Sequence, residues 1–178
     1  MNKKIVIFSG SPREKGNTSS LIRAFSEGAQ SSGNTVTTFI LDKMDIHGCK
    51  GCYGGTGDKN SPCVQKDDMD KIYSTFTEAD VFVMASPLYF WTFTGQLRTA
   101  IDRLFALQES NLWNSKDCFL IMTAGEDGFG DCVTYYDRLM GNLGWKDRGK
   151  ILAGFVSNEG DVEGRQEMDE ARRLGASI

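Results

Sequence analysis

The chain has 178 residues, 40% hydrophobic and 25% charged, with a formal net charge of −4. That balance supports a real core in one α/β domain spanning 1–178 and argues against nucleic-acid or anionic-membrane partners. No run approaches the roughly 18 apolar residues of a membrane span, "MNKKIVIF" is too short for a signal h-region, and the five cysteines, an odd number, suit reduced thiols, so a cytoplasmic protein is expected.

Five apolar runs read as buried parallel strands: 4–9, 35–41, 80–86, 118–124 and 151–157. They are continuous rather than alternating, which suits a sheet covered on both faces. Helices are expected between and after them, at 17–31, 67–78, 94–108, 131–143 and 161–174. The second opens on acidic "DDMD", and the third sets Leu97, Ile101, Leu104 and Phe105 on one face. Alternating strands and helices imply right-handed crossovers and a doubly wound sheet. The long irregular stretch 42–66 is rich in Gly, Cys and Asp, and a loop of that length is usually functional or mobile.

In such a sheet, ligands bind outside the carboxyl ends of the strands. The first strand runs into "GSPREKGNTSS". Gly10 and Gly16 have five residues between them and Asn17 follows, so this is not a Walker A loop. Pro12 stands where a dinucleotide fingerprint needs glycine. Ser9, Ser11, Thr18 and Ser19 supply hydroxyls, Arg13 a cation, and Asn17 a cap for the following helix. Together they suit a phosphate monoester, although a simple helix cap after a polar loop would use many of the same residues. The third strand ends at "SPLYFWTF", where Pro87, Leu88, Tyr89, Phe90 and Trp91 suit the wall of a flat ligand or a packed contact. The fourth ends at "TAGEDGFGD", where Gly125 allows close backbone approach.

Taken together, "GSPREKGNTSSL", "CKGC", "DDMD", "ASPLYFWTFTGQLRTAIDRL" and "TAGE" resemble the NAD(P)H-dependent FMN reductase and iron–sulfur flavoprotein family, over residues 4 to about 157. The resemblance implies a flavodoxin-like fold with strand order 2-1-3-4-5 and an FMN cofactor. Ser11, Arg13, Asn17 and Thr18 would surround the phosphate, with Ser9 and Ser19 beside them. Pro87, Leu88, Tyr89, Phe90 and Trp91 would follow the isoalloxazine and ribityl chain, and Gly125 the far side of the ring. It further implies an enzyme that passes a hydride from NAD(P)H through the flavin to a quinone, flavin or similar acceptor. No acid–base residue is assigned, because the chemistry belongs to the cofactor. A flavodoxin-type carrier and an iron–sulfur flavoprotein are the alternatives. A homodimer or a dimer of dimers is expected, with the aromatic loop near the interface.

Cys49-x2-Cys52 is followed by Cys63. Iron–sulfur members of the resembled family carry a further cysteine shortly after the second, where this chain has Gly55. Four thiolates usually hold a [4Fe–4S] cluster, so no cluster and no metal is assigned. His47 is the conceivable fourth ligand, and a thiol-bearing cover for the flavin is the plainer reading. Cys118 and Cys132 read as ordinary thiols, Asp102-Arg103 as an exposed or interface pair, and Asp42 as a helix or loop cap.

Overall fold

The computed structural model describes residues 2–178. Five parallel strands, β1 (Lys4–Ser9), β2 (Thr35–Ile40), β3 (Val81–Pro87), β4 (Asp117–Thr123) and β5 (Lys146–Ala153), form one sheet in the order β2-β1-β3-β4-β5. The helices are α1 (Asn17–Ser31), α2 (Asp70–Glu78), α3 (Gly95–Arg103), α4 (Phe105–Glu109), α5 (Gly130–Leu143) and α6 (Gln166–Ala176). This is the doubly wound, flavodoxin-like sheet that the sequence implies.

The continuous apolar strands are explained by two cores. Successive side chains point to opposite faces. Val6, Phe8, Phe82 and Met84 therefore pack with α2, α3 and α5 on one side. Ile5, Ile7, Val81, Val83 and Ala85 pack with α1 and α6 on the other. On that second face α1 and α6 meet backbone to backbone. A Cβ at Gly28 would strike the Arg172 carbonyl, and one at Gly175 the Phe25 carbonyl.

Three expected elements differ. β5 occupies Lys146–Ala153 instead of 151–157, because its first half, rich in polar side chains, lies exposed at the sheet edge and still pairs with β4 from Asp117 onward. The expected 94–108 helix breaks at Leu104, whose N–H is shared between the carbonyls of Ala100 and Ile101 at 3.2 and 3.1 Å. The last helix begins at Gln166 rather than 161, because Asp161 is spent on a turn, accepting from the N–H groups of Ser157 and Asn158 at 2.9 and 2.7 Å.

Candidate functional site

The carboxyl ends of β1, β3 and β4 and the loop after β5 border a cleft of about 260 Å³. Its floor is set by strand pairing. Gly10 N–H donates to the Ala85 carbonyl at 2.8 Å, and Leu88 N–H to Thr123 at 2.7 Å. The loops after β1 and β3 are thus hung on their neighbours before any ligand is considered.

Ser11, Arg13, Asn17 and Thr18 line one side of the cleft, and Pro87, Leu88, Tyr89 and Gly125 the other. Eight of the twelve sequence-predicted residues are therefore brought together. Ser11 Oγ accepts from Arg13 N–H at 3.2 Å, which tightens the loop. The Thr18 and Thr123 hydroxyls pair at 2.7 Å in a buried position. α1 starts behind Gly16 with no side-chain cap and no acidic residue in its first turn. Its first N–H groups, on the cleft-lining residues Asn17 and Thr18, have no carbonyl partner within the helix.

Asn17 does not cap the helix. Its amide reaches across to the loop after β5, donating to Asn158 O at 2.8 Å and Val156 O at 3.4 Å and accepting from Val162 N–H at 3.2 Å. The adjacent Gly16 takes the cap position, which frees Asn17 to anchor that loop. The four other predicted residues stand outside the cleft lining. Ser19 donates to the Arg13 carbonyl at 2.8 Å and braces the loop from behind. Ser9, with Ser19, faces a separate groove between α1 and β2. Phe90 and Trp91 form the tip of a two-residue turn, closed by reciprocal bonds between Tyr89 and Thr92 at 2.9 and 3.1 Å. Both have left-handed backbones, φ 51° and 60°, and they are 92% and 64% exposed. Phe93 instead turns inward, buried against Tyr135.

Sequence reasoning did not assign Thr123, Val156, Ser157 and Glu159 to the site, and they line the cleft together with Gly16 and Ala124. Thr123 was legible as the last polar residue of β4. Val156 and Ser157 were hidden by extending β5 to 157, and Glu159 lies in the loop just beyond that range.

The 42–66 stretch is pinned by a buried ion pair. Asp67 accepts from both terminal nitrogens of Arg103, at 2.5 and 3.1 Å, and from the N–H groups of His47 and Met69 at 3.0 and 3.1 Å. Burial pushes the Asp67 carboxyl up, but these hydrogen bonds, Arg103's first, outweigh it and hold the group below its ordinary value. Of the pair at 102–103, expected to be exposed or at an interface, Asp102 is exposed but Arg103 is fully buried. It reads as surface charge in sequence because its partner lies 36 residues away. Asp42 accepts from Gln96 at 2.9 Å, tying the turn after β2 to α3.

The sequence model of NADPH-dependent FMN reductase matches residues 3–155. An iron-sulfur flavoprotein of Archaeoglobus fulgidus is 31% identical over 176 residues, 98% of this chain and 78% of that one. The NAD(P)H:quinone oxidoreductase from Methanothermobacter marburgensis superposes with TM-score 0.73 at 18% identity, covering 99% of this chain and 97% of the other. An FMN-dependent NADH-azoreductase from Bacillus anthracis, solved with FMN, gives 0.72 at 15%, covering 99% of each. The two structures share the fold. The family match runs from the first strand to the turn beyond the fifth, so the chain belongs to the NADPH-dependent FMN reductase family and is an FMN-dependent NAD(P)H oxidoreductase.

Proposed function

We propose that this oxidoreductase delivers electrons to a quinone or a similar small, flat acceptor, and that its FMN occupies the cleft above β1, β3 and β4. The carrying observation is the uncapped start of α1, opening on a cleft ringed by hydroxyls with Arg13 at its edge. In this reading Ser11, Arg13, Thr18 and the first N–H groups of α1 hold the phosphate. Leu88, Tyr89 and Gly125 flank the ring, and Asn17 fixes the wall formed after β5. Bound FMN supplies the hydride-accepting and electron-donating chemistry. The chain binds, orients and partly desolvates, and no side chain is assigned a proton. The quinone and azo acceptors named for the two structural neighbours support a flat acceptor.

Steady NAD(P)H oxidation by the FMN-loaded protein with 1,4-benzoquinone is the expected result. A protein that binds FMN but is not reduced by either nicotinamide nucleotide would be a carrier of flavodoxin type, and this reading would fail. Five free cysteines suit a reducing, cytoplasmic setting. A homodimer belongs to the same proposal, because Phe90 and Trp91 are held out to solvent beside the cleft.

A second reading, an iron–sulfur flavoprotein, is favoured by the name of the Archaeoglobus relative and by Cys49, Cys52 and Cys63. A four-thiolate cluster does not fit these residues. Only three cysteines lie in the loop, while Cys118 and Cys132 are buried elsewhere. A Cβ at Gly55 would come within 2.8 Å of Ser110 Oγ and 2.9 Å of the Glu109 carbonyl carbon, so the end of α4 closes that position to a cysteine. Anaerobic iron and sulfide analysis is expected to find no stoichiometric [4Fe–4S] cluster.

A further inference from the structure

We propose that the groove between α1 and β2 holds the adenosine half of the nicotinamide nucleotide, and that Arg23 selects NADPH over NADH by binding the 2′-phosphate. The proposal rests on the FMN assignment made above. The groove has a volume of about 480 Å³, against about 260 Å³ for the cleft. Ser11 and Arg13 line both, so the groove begins where the phosphate loop ends. FMN is a mononucleotide, and its phosphate is the last group of its chain. The groove beyond that phosphate is left to the second ligand of the reaction, which reaches the flavin with one end and carries its remaining phosphates at the other.

The lining is complementary to an anion. Arg13 and Arg23 supply two cations. Glu14, the one carboxylate among the lining residues, is neutralised by Lys43. Arg23 meets Glu163 at 3.3 Å, but both side chains are at least half exposed. Such a pair is worth little, so the guanidinium can turn to a phosphate at small cost. Hydroxyls stand behind the two cations. Ser9 and Ser11 are buried, 3% and 4% exposed, yet both reach the groove. Among the described residues the Ser9 hydroxyl has no hydrogen-bond partner, which leaves it a donor for an oxygen in the groove.

The same lining separates NADPH from NADH. A site for an unphosphorylated ribose presents a carboxylate to the 2′-hydroxyl, whereas an arginine suits a 2′-phosphate. Asp42, the acidic residue just after β2, is tied to Gln96 at 2.9 Å and does not line the groove. Ile22 and Ile40 do, and Ile40, 37% exposed, offers apolar surface to an adenine ring. The adenylate half of FAD would bring the same pyrophosphate and adenine but no 2′-phosphate, so dependence on Arg23 tells the two apart.

The test follows anaerobic flavin reduction in the FMN-loaded protein by NADPH and by NADH, with apparent affinity and limiting rate measured separately. NADPH should bind at least about tenfold more tightly, the scale of one hydrogen bond to a charged group. Arg23→Ala should erase that preference by weakening NADPH, with the affinity for NADH, the limiting rates and the flavin absorbance little changed. Arg23→Lys should keep part of it. Direct titration with 2′,5′-ADP reads the groove without turnover. It should compete with NADPH, leave FMN bound and weaken about tenfold in Arg23→Ala, whereas 5′-AMP should not respond to the substitution. Equal affinity for the two nucleotides, equal losses for both in Arg23→Ala, 2′,5′-ADP binding that ignores Arg23, or tighter binding of FAD than of FMN would overturn the proposal. Failure of the FMN assignment would show separately, as FMN binding that does not respond to Arg13→Ala.

Discussion

Arg13 and Asp67 are the two residues whose charge has the clearest consequence. Arg13 is exposed at the edge of the cleft and carries no structural burden there. Arg13→Ala should leave stability nearly unchanged and weaken FMN by about 1.5–3 kcal/mol, the scale of one hydrogen bond to a charged group. Riboflavin, which lacks the phosphate, should be little affected, and parallel fluorescence titrations of both flavins check this. Equal losses for the two would remove the phosphate from the Arg13 side of the cleft. Asp67 acts on stability. Its folded-state value lies below the ordinary carboxylate value, so its contribution is complete above that ordinary value and is lost as pH falls through the folded one. Asp67→Ala strands the buried Arg103 charge and should cost about 3–5 kcal/mol. The variant should also lose the part of the acid-unfolding slope that belongs to this carboxylate. Denaturant melts of both proteins across the acid range measure the two effects together.

Among the elements, the α1–α6 contact is the least tolerant. Gly28 and Gly175 allow the two helix backbones to touch, and neither backbone can yield to a methyl group without moving a helix. Gly28→Ala gains helix propensity worth about 1 kcal/mol but overpacks a contact where strain typically costs 1–3 kcal/mol. Net destabilisation is expected, toward the upper end because the opposing atoms are backbone. Thermal melts decide it, and a stabilised Gly28→Ala would mean that α6 can slide. Displacement of α6 also pulls on the preceding loop, which Asn17 holds through Val162. The same variant should therefore weaken FMN, although Gly28 lies far from the cleft in sequence and at the other end of α1.

For the whole molecule, the open question is what covers the aromatic turn. Left-handed backbone costs about 1–2 kcal/mol per residue outside glycine, and Phe90 and Trp91 bear it consecutively while facing solvent. Strain of this kind persists where the surroundings impose it and tends to cluster at functional sites. A homodimer that buries the turn is expected at micromolar concentration, and Phe90→Ser/Trp91→Ser should shift it toward monomer in sedimentation equilibrium. A wild-type monomer with full quinone turnover would show that the cleft needs no second chain. Phe93, expected near the same interface, is instead part of the core, so its substitution should unfold the protein rather than dissociate it.

By itself the sequence determined the sheet, the order of elements and the two sides of the cleft. Those depend on local signals: continuous apolar runs for doubly covered strands, and polar, glycine-bearing loops at their carboxyl ends. Eight of the twelve predicted residues line the cleft because strand ends in this topology converge whatever the details of the loops. Only the tertiary structure could assign the rest. The roles of Asn17, Thr123, Arg103 and Asp67 are set by partners between 36 and 145 residues distant. Polarity along the chain shows that a group can form hydrogen bonds, but not which group will meet it. The cysteine loop makes the same point. Its spacing names three thiols, but that Gly55 has no room for a fourth follows from packing against α4.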